Sequence, residues 1–223
     1  DLDIISDNIK NIKKYLGSTK LLAVVKANAY GHGLYPVACS AVESGADYLG
    51  VASLEEGIFL RQKGISQPIL VFNTILPEQA DDVLNYDLTA TVCSFDVVQA
   101  LEEAAARQNK KAIVHVKVDT GFGRFGVLPE HAFEMIRVIN LNFKNLYIEG
   151  LYTHFSMAGN EKITRHQFNI FSSLIKTLKE QGYEIPLKHV CNSIAALNYP
   201  DMHLDMVRIG NLIYGLVPSK DLK

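Results

Sequence analysis

Short apolar runs alternate with longer amphipathic segments along this chain of 223 residues. The runs are rich in β-branched residues and most are apolar on both faces, which is typical of parallel strands covered by helices. They predict strands over residues 21–26, 47–52, 68–72, 89–93, 112–118, 147–152, 187–191 and 206–209.

Three of the intervening segments carry signals for helices. Ser53 and Glu56 form an S-x-x-E capping box that opens a helix, which Gly64 is placed to end. Ser94 precedes a second predicted helix and Gly182 follows a third. Their predicted buried faces consist of Phe95, Val98, Leu101 and Ala105 in the second helix and of Phe168, Phe171, Ile175 and Leu178 in the third.

Eight strands separated by helices in a chain of this length predict an α/β fold, a (β/α)8 barrel of the TIM type. A doubly wound open sheet is the alternative, but no G-x-G-x-x-G motif follows the first predicted strand. The sequence has no repeat of fixed period, no low-complexity tract and no linker-like change in composition. We therefore expect residues 1–223 to form one domain.

Composition and charge narrow the class of protein. Hydrophobic residues make up 48% of the chain and the net charge is −2. Because no cluster of basic residues stands out, we expect no nucleic-acid partner. No apolar run is long enough to span a bilayer and the N-terminus lacks a signal-peptide pattern, so we expect no membrane partner for this segment. The number and spacing of the cysteines favour a cytoplasmic location.

The residues that could form disulfides or bind metals are scattered. Cys39, Cys93 and Cys191 are far apart and lack CxxC spacing, which predicts reduced thiols. His154 has no second histidine four residues on and no carboxylate cluster, so we predict no metal site. The chain begins at Asp1 without a methionine and ends after an apolar run. We therefore expect it to be a domain of a longer protein.

In a (β/α)8 barrel, the chemistry lies where the strands end and the βα loops begin. Polar side chains follow five of the predicted strands, and several of them are cationic. A barrel that served only as a scaffold would not need to gather cations at one rim. The candidates are Lys26, Lys117, Arg124, His154, Asn192, Ser193, Arg208, Gly210 and Asn211.

Lys26 ends the first predicted strand, and Tyr30 follows four residues later. Alone, Lys26 is compatible with an ordinary strand-end lysine and Tyr30 with a turn residue that packs its ring. The functional alternative is a lysine that attacks a carbonyl, since partial burial lowers the pKa of an amine. Tyr30 would then donate a hydrogen bond to a nearby phosphate or carbonyl.

The segment VKVDTGFGRFG, residues 116–126, is a predicted strand followed by a glycine-rich loop. Arg124 in this loop can bind a carboxylate or phenolate, although a tight surface turn is the alternative. Lys117 is predicted to point into the barrel or its rim, where burial of its charge requires an anionic partner.

Three further features suggest a phosphorylated cofactor. Asn192 and Ser193 follow the seventh strand, and Gly210 and Asn211 follow the eighth, where barrels often hold a phosphate. Arg208 requires a partner such as a heteroaromatic nitrogen or a carboxylate if it is buried. A phosphate at these loops, an aldehyde at Lys26 and a ring beside His154 and Arg208 would fit pyridoxal 5′-phosphate.

Five motifs, spread over nearly the whole chain, resemble the N-terminal barrel domain of bacterial alanine racemases, which are fold-type III pyridoxal-phosphate enzymes. The resemblance implies a racemase that interconverts L- and D-alanine for cell-wall peptidoglycan. The motifs are AVVKANAYGHG, VKVDTGFGRFG, YTHFSMAG, CNSIA and DMVRIGNLIYG.

The resemblance implies roles for individual residues. Lys26 is similar to the lysine that binds the cofactor aldehyde covalently and serves as one of two catalytic bases. Tyr30 and Ser193, with the backbone around Gly210 and Asn211, would hold the phosphate.

The remaining implied roles concern the cofactor ring and the substrate. His154 is similar to the histidine packed on the pyridine ring, and Arg208 to the arginine that faces the ring nitrogen. Arg124 would contact the cofactor phenol oxygen and the substrate carboxylate. Lys117 occupies the position of a lysine that is carbamylated in many members and anchors that arginine.

The sequence departs from the family in two places. Ile209 and Asn211 stand where proline and an aliphatic residue are common. The second base in the family is a tyrosine from a C-terminal β-domain of the other subunit of a homodimer, and that domain is absent from this chain. The alternatives are a racemase for another amino acid such as serine or ornithine, a decarboxylase, or a non-catalytic carrier of the cofactor.

Overall fold

Eight parallel strands form the central sheet in the computed structural model, which describes residues 1–216. In the sheet each strand pairs with its neighbour in the chain, and β1 also pairs with β8. The strands are β1 (Lys20–Val24), β2 (Tyr48–Val51), β3 (Ile69–Thr74), β4 (Thr89–Val92), β5 (Ala112–Lys117), β6 (Leu146–Tyr152), β7 (Leu187–His189) and β8 (Met206–Ile209).

The sheet closes between β7 and β8. The Asp205 N–H donates to the Lys188 carbonyl at 3.1 Å, and the Arg208 N–H donates to the Cys191 carbonyl at 3.0 Å. A closed ring of parallel strands excludes the doubly wound sheet and confirms the predicted (β/α)8 barrel. All eight predicted strands are present, with ends that differ from the prediction by at most two residues.

Helices surround the barrel and connect its strands. Helix α1 precedes β1 and packs on α3, which lies between β1 and β2. The described part of the chain contains no helix that is long and apolar enough to cross a membrane. The helices are α1 (Leu2–Leu16), α2 (Lys26–Tyr30), α3 (Leu34–Glu43), α4 (Leu54–Gln62), α5 (Ala80–Asn85), α6 (Phe95–Gln108), α7 (Pro129–Asn142), α8 (Glu161–Glu180) and α9 (Ser193–Asn198).

The predicted helix signals are mostly present, with two differences. The Ser53 hydroxyl caps α4 by accepting from the Glu56 N–H at 3.4 Å, but the Glu56 carboxylate accepts from the Ala52 N–H instead of completing the box at Ser53. Phe95 was predicted to face the core, which is wrong, because α6 begins there at the barrel rim and leaves the ring 47% exposed.

The barrel interior changes in character along its axis. One cluster of buried apolar side chains fills part of it: Leu22, Val24, Tyr48, Leu70, Leu187 and Met206. Towards the carboxyl ends of the strands, buried polar side chains take over, among them Lys117 and Arg208. Because buried charges require partners, this end of the barrel is built around polar contacts.

Candidate active site

A cavity of about 270 Å³ opens at the carboxyl ends of the strands. All ten residues predicted for the site line it, although they come from distant parts of the chain. They are Lys26, Tyr30, Lys117, Arg124, His154, Asn192, Ser193, Arg208, Gly210 and Asn211. The cavity also contacts seven residues that were not predicted: Val24, Ala52, Phe72, Asn73, Phe125, Tyr152 and Ile194.

Lys26 and Tyr30 belong to α2, which is a left-handed turn. Ala27, Asn28 and Ala29 have φ of 53°, and Tyr30 has φ of 52°. For L-residues this conformation costs roughly 1–2 kcal/mol per residue, because Cβ approaches the following carbonyl oxygen. The turn therefore stores strain directly beside the lysine.

The pKa of the Lys26 amine is lowered, first by burial and then by the charge of Arg124. A larger share of the amine is therefore neutral near neutral pH than for a lysine in water, and only the neutral form attacks a carbonyl.

Tyr30 is held against the loop after β8. Its ring lies 5.2 Å from the Tyr214 ring, and the Tyr214 hydroxyl donates to the Val24 carbonyl at 3.0 Å. A Cβ at Gly210 would lie 2.9 Å from the Tyr30 hydroxyl, which is closer than such atoms approach. Only glycine at position 210 therefore lets the tyrosine reach this part of the cavity.

Ser193 connects the loops that follow β7 and β8. Its hydroxyl oxygen accepts from the Gly210 N–H at 3.1 Å, which leaves its own O–H able to donate into the cavity. Asn192 caps α9, since its side-chain oxygen accepts from the Ala195 N–H at 3.0 Å. Hydroxyl donors from Ser193 and Tyr30 therefore border the same part of the cavity.

Arg208 lies inside the barrel with 4% of its surface exposed. One guanidinium nitrogen donates to His189 Nδ1 at 2.8 Å, and the other donates to the Thr153 carbonyl at 2.7 Å and to His154 Nδ1 at 3.2 Å. Burial lowers the pKa of Arg208 to about 10, so the group stays charged near neutral pH. Imidazole nitrogens and carbonyls are thus its direct partners.

His189 extends this contact into a chain of hydrogen bonds along the barrel. Its Nε2 lies 3.0 Å from His115 Nδ1, and His115 Nε2 lies 3.0 Å from a Glu149 carboxylate oxygen. Arginine is only a donor, so His189 Nδ1 must accept and its Nε2 must carry the proton. The same reasoning makes His115 the donor to Glu149, and the chain runs in one direction from Arg208 to Glu149.

Glu149 is therefore the anion at the far end of the chain that starts at Arg208. Its side chain is 19% exposed. Burial acts to raise the pKa of Glu149, but hydrogen bonds from His115 and Tyr48 outweigh it and the pKa lies below its usual value. Gly150 leaves space for this chain of hydrogen bonds, since a Cβ there would collide with the His115 ring.

Replacing Glu149 with glutamine is expected to lower the free energy of unfolding at pH 7 by about 1–2 kcal/mol, because hydrogen bonds to charged groups are stronger than those to neutral ones. The depressed pKa makes this stabilisation present above the unfolded-state value of about 4.3 and lost at lower pH. Urea unfolding at pH 7 and pH 3 measures both. The exposed Glu103→Gln is the control, and equal stability of Glu149→Gln and wild type at pH 7 would contradict the prediction.

His154 presents a neutral imidazole to the cavity. Burial, followed by the charges of Arg208 and Arg124, lowers its pKa to about 2. Its Nδ1 accepts from Arg208, and its ring meets the edge of Phe122 with 5.5 Å between the ring centroids. The imidazole is thus fixed between an arginine and an aromatic ring, and it can pack against a planar ligand.

The loop that carries Arg124 is folded around a single carboxylate. Asp119 accepts from the N–H groups of Gly121, Phe122 and Gly123 at 2.8–3.1 Å. The Arg124 guanidinium lies 4.5 Å from the Phe122 ring centroid. The glycine-rich segment is therefore an ordered loop that presents a cation to the cavity.

Lys117 is buried, with 3% of its surface exposed. Its amine donates to the Phe125 carbonyl at 2.6 Å and lies 3.4 Å from the Phe125 ring centroid. No ion pair supplies the expected anionic partner within residues 1–216; the Asp119 charge favours the protonated amine, while the Asp119 carboxylate accepts from the loop amides. Burial, together with the charge of Arg124, lowers the pKa of Lys117 to about 8.

Replacing Lys117 with methionine is expected to raise the free energy of unfolding at pH 7 by about 2 kcal/mol, because a buried charge that has no ion-pair contact is removed. In wild type the unfolded chain binds more protons between the folded-state pKa of about 8 and the ordinary lysine pKa of 10.5, so the free energy of unfolding rises with pH in that window. Denaturant titrations from pH 7 to 11 in carbonate-free buffer should show this rise in wild type and in the exposed control Lys162→Met. A rise of the same size in Lys117→Met would contradict the assignment.

Sequence reasoning missed His115, Glu149 and His189. His115 could have been noticed, since it lies two residues before Lys117 and so shares its side of β5. Glu149 and His189 carry no such local signal. For metals, the part of the chain that is described contains no cluster of three His, Cys, Asp or Glu side chains that could bind an ion.

Comparisons with known proteins agree with this geometry. The family described as "Alanine racemase, N-terminal domain" matches residues 1–218. Alanine racemase 1 of Oceanobacillus iheyensis is 40% identical over 100% of this chain and 60% of its own length. Alanine racemase of Desulforamulus reducens is 43% identical over 100% of this chain and 61% of its own length.

Solved structures give the same result. An alanine racemase of Clostridium difficile superposes with a TM-score of 0.95 and 38% identity, over 99% of this chain and 59% of that one. An alanine racemase of Bacillus anthracis with bound L-Ala-P superposes with a TM-score of 0.91 and 34% identity, over 98% of this chain and 57% of that one. This chain thus spans about 60% of the length of the relatives it matches, and it belongs to the alanine racemase family through its N-terminal domain.

Proposed function

We propose that residues 1–223 are the cofactor-binding barrel domain of a pyridoxal-phosphate-dependent racemase that interconverts L- and D-alanine. The observation that carries the proposal is the convergence of the Lys26 amine, the Tyr30 hydroxyl and the Arg208 guanidinium on one cavity. The racemase relatives support it. Since they extend well beyond this chain, the activity belongs to the longer protein.

The residues of the cavity suit pyridoxal phosphate. Tyr30 and Ser193 offer hydroxyl donors for a phosphate, together with the backbone at Gly210 and Asn211 and the cap residue Asn192. Lys26, whose pKa is lowered, is the amine for the aldehyde. The neutral His154 can cover the face of the ring. When bound, the cofactor supplies an electron-withdrawing ring that acidifies the α-carbon of an amino acid attached to it.

Two residues of this chain would act on the reacting amino acid. Lys26 takes or returns the α-proton on one face, because its amine is neutral in a larger fraction than an exposed lysine. Arg124 binds the substrate carboxylate through its forked donors. Lys117, also with a lowered pKa, is neutral in a larger fraction than an exposed lysine, which carbamylation requires, and a carbamate there would give Arg124 an anionic partner.

Arg208 would limit the chemistry to racemisation. A guanidinium does not release its proton near neutral pH, so it can donate a hydrogen bond to the ring nitrogen without protonating it. Five acceptor contacts, including His189 and His154, hold it in place. The ring is then a weaker electron acceptor, which disfavours side reactions such as transamination.

Several further features belong to this proposal. The second base and the homodimer follow from the family resemblance, as does a supply of D-alanine for the cell wall. The three free thiols, at Cys39, Cys93 and Cys191, suit the reducing cytoplasm. Racemases for serine or ornithine and carrier proteins are the less favoured alternatives, because the relatives reported above are alanine racemases.

Titration of the chain with pyridoxal phosphate, followed by borohydride reduction and peptide mass spectrometry, tests the proposal. We expect modification at Lys26 and weaker capture of pyridoxal, which lacks the phosphate. The longer protein should racemise alanine faster than serine. Capture at other lysines only would overturn the cofactor assignment, and capture at Lys26 without racemisation by the longer protein would favour a carrier.

A further inference from the structure

The left-handed turn α2 needs support from outside itself. Four successive residues with side chains have positive φ, and such a conformation persists only where its surroundings hold it. Some contacts are internal: the Ala29 N–H donates to the Val25 carbonyl at 2.8 Å, and the Gly33 N–H donates to the Asn28 carbonyl at 3.0 Å. These contacts satisfy the turn itself but do not attach it to the rest of the barrel.

Besides the ring contact of Tyr30 with Tyr214, the hydrogen bonds of Asn28 attach the turn to the barrel. Its side-chain oxygen accepts from the Leu34 N–H at 2.8 Å, at the start of α3. Its own N–H donates to Glu56 Oε1 at 3.0 Å, although Glu56 lies 28 residues further along the chain. Asn28 thus connects the turn to two helices.

Both carboxylate oxygens of Glu56 are engaged. Oε1 accepts from Asn28, and Oε2 accepts from the Ala52 N–H at 2.9 Å, where β2 ends. Glu56 therefore joins the loop after β1 to the loop after β2. Glutamine has the same length but a single acceptor oxygen, so it can satisfy only one of the two N–H groups.

Glu56 also acts on the charge of Lys26. Arg124 lowers the pKa of Lys26, Arg208 does so more weakly, and Glu56 raises it. Among the charged groups that shift the pKa of Lys26, Glu56 is thus the anion and the two arginines are cations. The titratable and charged groups around this part of the cavity are Tyr30, Glu56, Lys117, Arg124, His154 and Arg208.

We propose that Glu56 is a positioning residue of the candidate site, which clamps the left-handed turn so that Lys26 and Tyr30 face the same cavity and which balances the arginines around Lys26. The role of Lys26 as the cofactor lysine rests on the proposed function. The clamp and its charge can be tested without any cofactor.

The test compares wild type with Glu56→Gln and Glu56→Asp, and with Glu55→Gln as the matched control. Glu55 is the exposed neighbour of Glu56 in the first turn of α4. Hydrogen exchange measures how fast the Asn28 amide exchanges with solvent in the cofactor-free chain. The rate of reductive methylation of Lys26 with formaldehyde, followed by peptide mass spectrometry from pH 6 to 11, reports the amine.

In Glu56→Gln we expect exchange at the Asn28 amide to be about tenfold faster, because a hydrogen bond to a carboxylate is lost or weakened. We also expect the midpoint of Lys26 methylation to shift down by about 0.5 unit or more, because an anion near the ammonium is removed. Glu56→Asp keeps the charge and shortens the reach, so its exchange should accelerate while the midpoint stays near that of wild type.

Capture of pyridoxal phosphate is measured separately on the same variants, and we expect Glu56→Gln to bind it about tenfold more weakly than Glu55→Gln. Wild-type values for both the Asn28 exchange and the Lys26 midpoint in Glu56→Gln would overturn the clamp, whatever the cofactor does. If Glu56→Gln does not fold, the rate of Asn28 amide exchange in Glu56→Asp tests the clamp. Wild type that fails to capture pyridoxal phosphate at Lys26 would instead overturn the proposed function.

Discussion

Replacing Lys26 with alanine is expected to abolish covalent capture of pyridoxal phosphate by this chain. No other amine in the described residues combines a lowered pKa with a place at the end of β1, and the neighbouring Lys117 points its amine at the Phe125 carbonyl. In the longer protein we expect alanine racemisation to fall by about 10³-fold or more, because a nucleophile and a catalytic base are lost together.

The same variant should still bind the cofactor weakly without a covalent bond. Tyr30 and Ser193 remain in place to hold a phosphate, so equilibrium dialysis should detect retention that inorganic phosphate competes away. The exposed Lys162→Ala is the control and should behave like wild type. Capture that persists in Lys26→Ala, located by peptide mapping, would show that another lysine holds the aldehyde.

Replacing Arg208 with glutamate is expected to have the second large effect, and its first consequence is a loss of folding stability. The guanidinium donates to His189 Nδ1 and to the carbonyls of Thr153 and Val190. A carboxylate at this position would meet acceptors where donors were, and it would remain buried without a partner. We expect the free energy of unfolding to fall by about 3–5 kcal/mol, as measured by urea titration.

The chemical consequence of Arg208→Glu appears in the longer protein, provided that enough of it folds. A carboxyl group can hold a proton at the ring nitrogen, which the guanidinium does not release, so the ring becomes a stronger electron acceptor. We expect greater long-wavelength absorbance during turnover and more transamination. Arg208→Lys keeps a cation and serves as the control. An unchanged spectrum and unchanged stability in Arg208→Glu would contradict the role of Arg208.

The fold could be predicted because its determinants are local. Each strand of the barrel is a short apolar run, and β8 has the predicted bounds. The ends of other strands were misjudged because the apolar run continues past the strand: β1 ends before Val25 and β7 ends before Val190. Phe95 shows the limit of periodicity: it has the right spacing for the core, but it starts its helix at the rim.

Some residues of the candidate site could likewise be predicted from the sequence, and others could not. Residues that directly follow a strand, such as Lys26 and Arg208, could be named because the barrel topology brings strand ends together. The chain from Arg208 through His189 and His115 to Glu149 could not, since its hydrogen bonds join residues 19, 74 and 34 positions apart. Its direction depends on which nitrogen accepts, and only the packed barrel decides that.

The sequence by itself determined the barrel, the rim on which the polar side chains stand and the family to which the chain belongs. These follow from hydrophobic periodicity and from short motifs whose spacing is local. The tertiary structure alone decided how α2 turns, which partner satisfies each buried charge and how far burial moves the pKa of Lys26, Lys117 and His154. Those properties depend on desolvation and on contacts between distant segments, which exist only once the barrel has closed.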